Sequence, residues 1–123
     1  VERTPEEEVR QHIIKHLNIV CQAPLHLMTC EYPVQHLNQR ADLVLHDREG
    51  KPLVLAEFKA PAVRVDDKTI EQLRRYNEEI MAPYLLISNG SQTFFWKLDR
   101  VNGSYQSMKD IPPYQDLIIK NPH

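Results

Sequence analysis

The stretch Pro52 to Ala60, PLVLAEFKA, constrains the fold more than any other. Side chains alternate across a β-strand, so Leu53, Leu55, Glu57 and Lys59 share one face and Val54, Ala56 and Phe58 the other. Both faces start apolar, which predicts a central strand of a sheet covered on each side. Charge enters only at the C-terminal end, as Glu57 and Lys59. The segment RADLVLHD, residues 40–47, precedes it across the turn REGK, in which Gly50 supplies flexible backbone. Two strands joined so tightly form an antiparallel hairpin.

Helical periodicity surrounds this hairpin. RTPEEEVRQHIIKHLNIV reads as a first helix, with Thr4 as cap, Pro5 in the first turn and Glu7 completing a capping box. Val9, Ile13, Leu17 and Val20 form its buried stripe. PLHLMTCEY, from Pro24, reads as a strand. DDKTIEQLRRYNEEIM reads as a second helix capped by Asp66 or Asp67, with Ile70, Leu73, Tyr76 or Asn77, and Ile80 on one face. YLLIS is a short buried strand. Asn89–Gly90 and Asn102–Gly103 are turns around TFFWKL, and a helical turn follows Pro113. The second helix is long enough to cross over between strands 53–59 and 84–88, so these two are expected parallel. The result is an α/β fold, a mixed sheet flanked by helices, with an extra C-terminal hairpin. One domain is expected over 1–123, with a core near 3–98 and an extension over 99–123.

Composition narrows the function classes. The 123 residues carry a net charge of -2, so binding to nucleic acid has to come from a local patch rather than a bulk basic excess. Two cysteines, Cys21 and Cys30, are too few for a disulfide framework. No apolar run approaches the roughly 18 residues of a membrane span, and no signal-peptide pattern opens the chain; a cytoplasmic protein with no membrane partner is expected. Val1 in place of an initiating Met suits a fragment of a longer protein.

The charges at the strand end define the candidate site. In the hairpin, the start of the first strand lies beside the end of the second, so Asp42 pairs near Glu57. Asp42, Val44 and His46 share a face, and Ala41, Leu43 and Leu45 share the other. Two carboxylates and Lys59 then meet at one edge of the sheet. Burying them costs several kcal/mol per ion unless they are paired or bound to metal. Mg²⁺ is commonly held by one or two carboxylates and keeps waters for phosphate, and Lys59 suits holding a water beside it, a set fitted to phosphodiester hydrolysis. The bland alternative is an Asp42–Lys59 salt bridge, or solvated charges at a strand end. Gln72 and Tyr76 lie four apart on one face of the second helix and reach the same region.

RADLVLHDREGKPLVLAEFKAP, followed by EQLRRYNEE and YLLISNG, resembles the PD-(D/E)xK nuclease superfamily, and within it the N-terminal nuclease domain of type I restriction enzyme R subunits and its stand-alone relatives; TPEEEVRQHIIKHL is similar to their first helix. The resemblance spans roughly residues 3–98. It implies a restriction-endonuclease-like αβββαβ core and a Mg²⁺- or Mn²⁺-dependent DNA endonuclease. Asp42 and Glu57 match the metal-binding acids, the backbone carbonyl of Phe58 faces the metal in such sites, and Lys59 matches the catalytic lysine. Gln72 and Tyr76 match the accessory QxxxY element that positions DNA or the site. A helix-one glutamate often joins the metal, for which Glu8 is favoured over Glu7. Ala41 stands where the motif has proline. Partners implied are DNA and the helicase, specificity and methylation subunits of such a system. No GxxxxGK[ST] motor loop is present, so either a domain of a longer protein or a solitary relative with another partner is expected. The alternative function is a silent nuclease-like module that binds nucleic acid or a protein partner.

Other patterns carry less. Cys21, His26, Cys30 and His36 lack zinc-like pairing, and His12 and His16 lack an HExxH context. Phe94, Phe95 and Trp96 read as packing, and Lys68, Arg74 and Arg75 as helix-surface charges that could meet phosphate.

Overall fold

The computed structural model describes residues 4–119. Arg3, included in the first-helix reading, and both ends of the expected 1–123 domain lie outside them. Helix α1 (Pro5–Ile19) is followed by strands β1 (Met28–Val34), β2 (Gln39–His46) and β3 (Pro52–Phe58), then α2 (Asp67–Ile80), β4 (Tyr84–Ser88), β5 (Thr93–Asp99), β6 (Ser104–Met108) and α3 (Tyr114–Ile119). The strands form one sheet in chain order, β1 to β6. Every neighbouring pair is antiparallel except β3 with β4, which run parallel on either side of the α2 crossover. The architecture is thus the expected mixed sheet flanked by helices, with β5 and β6 as the added hairpin.

The strand β3 is central and covered on both faces. Val54, Ala56 and Phe58 pack with Leu43, Leu45 and Leu86 under α1, together with Val9, Ile13, Leu17 and Tyr114. Leu55 packs with Val44, Leu85 and Ile87 under Leu73, Tyr76 and Ile80 of α2. Full burial of each large aliphatic or aromatic side chain contributes about 1.5–3 kcal/mol, so packing on both faces anchors this strand firmly. Two residues depart from simple alternation. Leu53 joins the α1 side, next to a register irregularity at Leu45/His46, and Ala41 joins the α2 side, beyond the last β2–β3 pair at Leu43–Ala56.

Local chemistry sets the ends of the elements. Thr4 Oγ1 accepts from the Glu7 N–H at 3.1 Å, capping α1. Asp66 caps α2, accepting from Thr69 N at 3.0 Å. Asn77 closes α2 from inside: its Oδ1 accepts from Ala82 N at 2.8 Å and its Nδ2 donates to Ala82 O at 2.9 Å, bracketing the left-handed Met81 (φ 62). At the β2–β3 turn Gly50 has φ 86, a conformation that a side chain would strain.

Two expectations are corrected. Val20 is 63% exposed, because the helix ends at Ile19 and Val20 is its C-cap; the buried Cys21 fills the position behind it. The first strand starts at Met28 rather than Pro24: Leu25–Leu27 form a short 3-10 turn after Pro24, and the strand runs on through Pro33 to Val34. A proline is tolerated there because β1 is an edge strand.

Candidate active site

The ladder between β2 and β3 ends at the Leu43–Ala56 pair. The next two residues in register are Asp42 and Glu57, and here side chains replace backbone partners. The Asp42 N–H donates to Glu57 Oε1 at 2.9 Å, and the Phe58 N–H donates to Asp42 Oδ2 at 2.8 Å. Each carboxyl is therefore fixed by the backbone of the opposite strand. Burial pushes Glu57 up to about 8, and the neighbouring Asp42 charge adds to the shift. Asp42 is also raised by burial, against the hydrogen bonds from Phe58 N–H and from Glu57. Like charges in a desolvated site resist ionising together, which favours the protonated form of Glu57.

Lys59 lies one residue past the end of β3, its N–H donating to Ser88 O at 2.9 Å so that it stays tied to β4. Its charge opposes the upward shifts of Glu57 and Glu6. Among the described residues Asp42 and Lys59 form no ion pair; the ion pairs there involve Arg10, His36, Lys51 and Arg74. The bland alternative of an Asp42–Lys59 salt bridge therefore has no counterpart in the structure.

A polar cleft of about 200 Å³ opens beside the pair, lined by Thr4, Glu6, Glu7, Arg10, Glu31, Asp42 and Phe58. The helix-one acids facing it are Glu6 and Glu7. Glu8, the favoured candidate, does not line it. The reason is helical phase: Glu6 lies three residues before Val9, on the same side of the helix, whereas Glu8 is turned away by about 100° relative to Val9. Burial raises the Glu6 carboxyl, and the Asp42 charge adds to it, so Glu6 sits in the field of the site. Arg10 bridges the cleft, hydrogen-bonded to Glu7 and, at 2.9 Å, to Glu31.

On the α2 side, Gln72 and Tyr76 converge on Gln39 at the start of β2. Its Oε1 accepts from Gln72 Nε2 at 2.7 Å and from the Tyr76 hydroxyl at 2.8 Å. Burial raises the Tyr76 phenol; a hydrogen bond with Gln72 opposes this, and the charges of Glu57 and Asp42 raise it further. The Gln-xxx-Tyr pair therefore flanks the carboxyls.

The family model of the type I restriction enzyme R protein N terminus (HSDR_N) matches residues 5–112. The chain belongs to this family. Among solved structures, a fragment assigned as an HsdR subunit of a type I restriction enzyme from Vibrio vulnificus YJ016 shares the fold with a TM-score of 0.64 and 17% identity. The match covers 95% of this chain but 25% of that one, so the chain spans a quarter of that relative's length. No curated protein matches the chain. No helix of the described residues is long and apolar enough to cross a membrane.

The donors of this R-protein N-terminal domain suit a hard cation. Among the described residues no group of three His, Cys, Asp or Glu side chains is arranged to hold a metal ion. What converges is a half-buried carboxyl pair, both members of which desolvation holds above their ordinary range. Two carboxylates, with water and phosphate oxygens completing the shell, is a common mode for Mg²⁺. Sequence reasoning missed Glu6, Arg10, Glu31 and Gln39. The first was legible by extending the Val9–Ile13–Leu17 stripe one turn back. Gln39 opens β2 with no motif of its own.

Proposed function

We propose that the chain is a Mg²⁺- or Mn²⁺-dependent endonuclease domain hydrolysing DNA phosphodiester bonds, working in a cytoplasmic type I restriction system beside helicase, specificity and methylation subunits. The observation that carries this is the in-register opposition of Asp42 and Glu57, each clamped by the other strand's backbone, with Lys59 two residues on. Asp42, Glu57 and the Phe58 carbonyl would hold the cation. When bound, it supplies Lewis-acid polarisation of a phosphate oxygen and a lowered pKa for water. Glu57 would serve as the ionised carboxylate, its proton passing to water. Lys59 holds the attacking water by hydrogen bonding and offsets negative charge developing on the phosphate. Gln72 and Tyr76, through Gln39, fix the start of β2 and with it the position of Asp42.

Asp42→Ala, Glu57→Ala and Lys59→Ala are each expected to lower Mg²⁺-dependent nicking of plasmid DNA by at least about 100-fold, the scale of a lost charge-stabilising group, while circular dichroism stays native. Cleavage by all three variants at the wild-type rate would sink the assignment. A wild-type chain that binds DNA but never cuts it with either metal would favour the silent binding module instead.

A further inference from the structure

We propose that Arg10 is a ligand for a substrate phosphate, held in reserve by Glu31 until DNA arrives. The inference rests on reading the cleft beside Asp42 as the DNA-facing site. That cleft is lined by four carboxylates, those of Glu6, Glu7, Glu31 and Asp42, and the cation among its lining residues is Arg10. A polyanion entering such a cleft is repelled unless a positive group meets it, and a guanidinium fork matches phosphate oxygens better than any other side chain.

The state of Arg10 fits a group awaiting another partner. One terminal nitrogen donates to Glu7, on the same helix, and the other to Glu31 across the cleft on β1. The Nε–H is buried and donates to nothing among the described residues. Burying an unsatisfied donor is costly, and a phosphate oxygen reaching the Nε–H would satisfy it. The Glu31 side chain is half exposed, at 51%, whereas Arg10 retains 19%, so Glu31 can swing into water with little loss of burial. Glu31 also occupies a left-handed backbone position (φ 54), sparsely populated for a non-glycine residue. It stands between Cys30 and Tyr32, whose strand partners Leu43 and Ala41 flank Asp42. A carboxylate at that point holds the guanidinium where the site opens, and a phosphate would displace it.

The test is equilibrium binding of a short blunt DNA duplex, followed by fluorescence anisotropy in EDTA over a salt series. Arg10→Gln should weaken binding about equally across sequences and reduce the log–log salt slope by about 1, the signature of one lost phosphate contact. Glu31→Gln should tighten binding, and that gain should vanish in the Arg10→Gln, Glu31→Gln double variant. A merely structural Arg10–Glu31 pair predicts instead that both single variants weaken binding together, and a bulk-charge effect predicts that the Glu31→Gln gain survives without Arg10. Either result overturns the proposal, as does a wild-type chain with no saturable duplex binding. Wild-type failure to cleave with Mg²⁺ or Mn²⁺ would defeat the hydrolytic reading while leaving the Arg10 pattern to stand by itself.

Discussion

Glu57 carries a proton in the folded chain that a free carboxylate would lose. Burial pushes its carboxyl up to about 8 in the folded chain, against about 4.3 when unfolded. Between those values the native state binds the extra proton, so rising pH favours the unfolded state. The stability contributed is fully present below about pH 4.3 and is lost as pH climbs through about 8, by at most about 1.4 kcal/mol per pH unit for one proton. In EDTA, the thermal midpoint of the wild type should therefore fall from mildly acidic pH to pH 8 more steeply than that of Glu57→Gln; equal slopes would contradict the buried-proton account. Added Mg²⁺ should stabilise more at the alkaline end, where the ligand is already ionised. Alternation and hairpin geometry sufficed to place Asp42 against Glu57. They could not show that the carboxyls bond to opposite backbones, because that depends on the ladder ending one pair earlier. Gln39 was hidden for a related reason: one glutamine has no periodicity, and its role exists only where α2 and β2 meet.

At the scale of elements, boundaries were legible where a side chain closes them. Asp66, the turn around Gly50 and the parallel crossover all follow from capping and loop length. The β1 boundary was not, since Leu25 and Leu27 satisfy both a strand alternation and a short 3-10 turn, and Pro24 selects the turn. Asn77 shows how much a buried polar residue can decide. It brackets Ala82 and donates to the Tyr105 hydroxyl at 2.9 Å, linking the end of α2 to β6. Asn77→Ala strands those groups and should cost about 1–3 kcal/mol, read as a lower urea midpoint with an unchanged slope. An unaffected midpoint would mean that water replaces the amide.

Over the whole molecule, the C-terminal segment is part of the core rather than an appendage. Tyr114 and Leu117 are buried with the α1-side residues, and Tyr114 donates its N–H to Cys21 O at 2.7 Å and its hydroxyl to His46 O at 2.9 Å. Tyr114→Ala should cost about 3–5 kcal/mol, as for other large buried aromatics, and should shift unfolding as one transition; a separate early transition would mark α3 as independent. Sequence pattern indicated a turn after Pro113 but not its burial, because the cavity it fills is built by α1 and β2, far away in the chain. The order of assembly carries a last consequence. The carboxyl pair belongs to a local hairpin, but Lys59 is pinned by Ser88 and the Tyr76 flank arrives only with α2. During synthesis the acids can therefore meet early, while the lysine gains its anchor only after the slow parallel pairing with β4. The carboxyl pair and the Lys59 anchor thus belong to different stages of assembly, the second waiting on closure of the sheet.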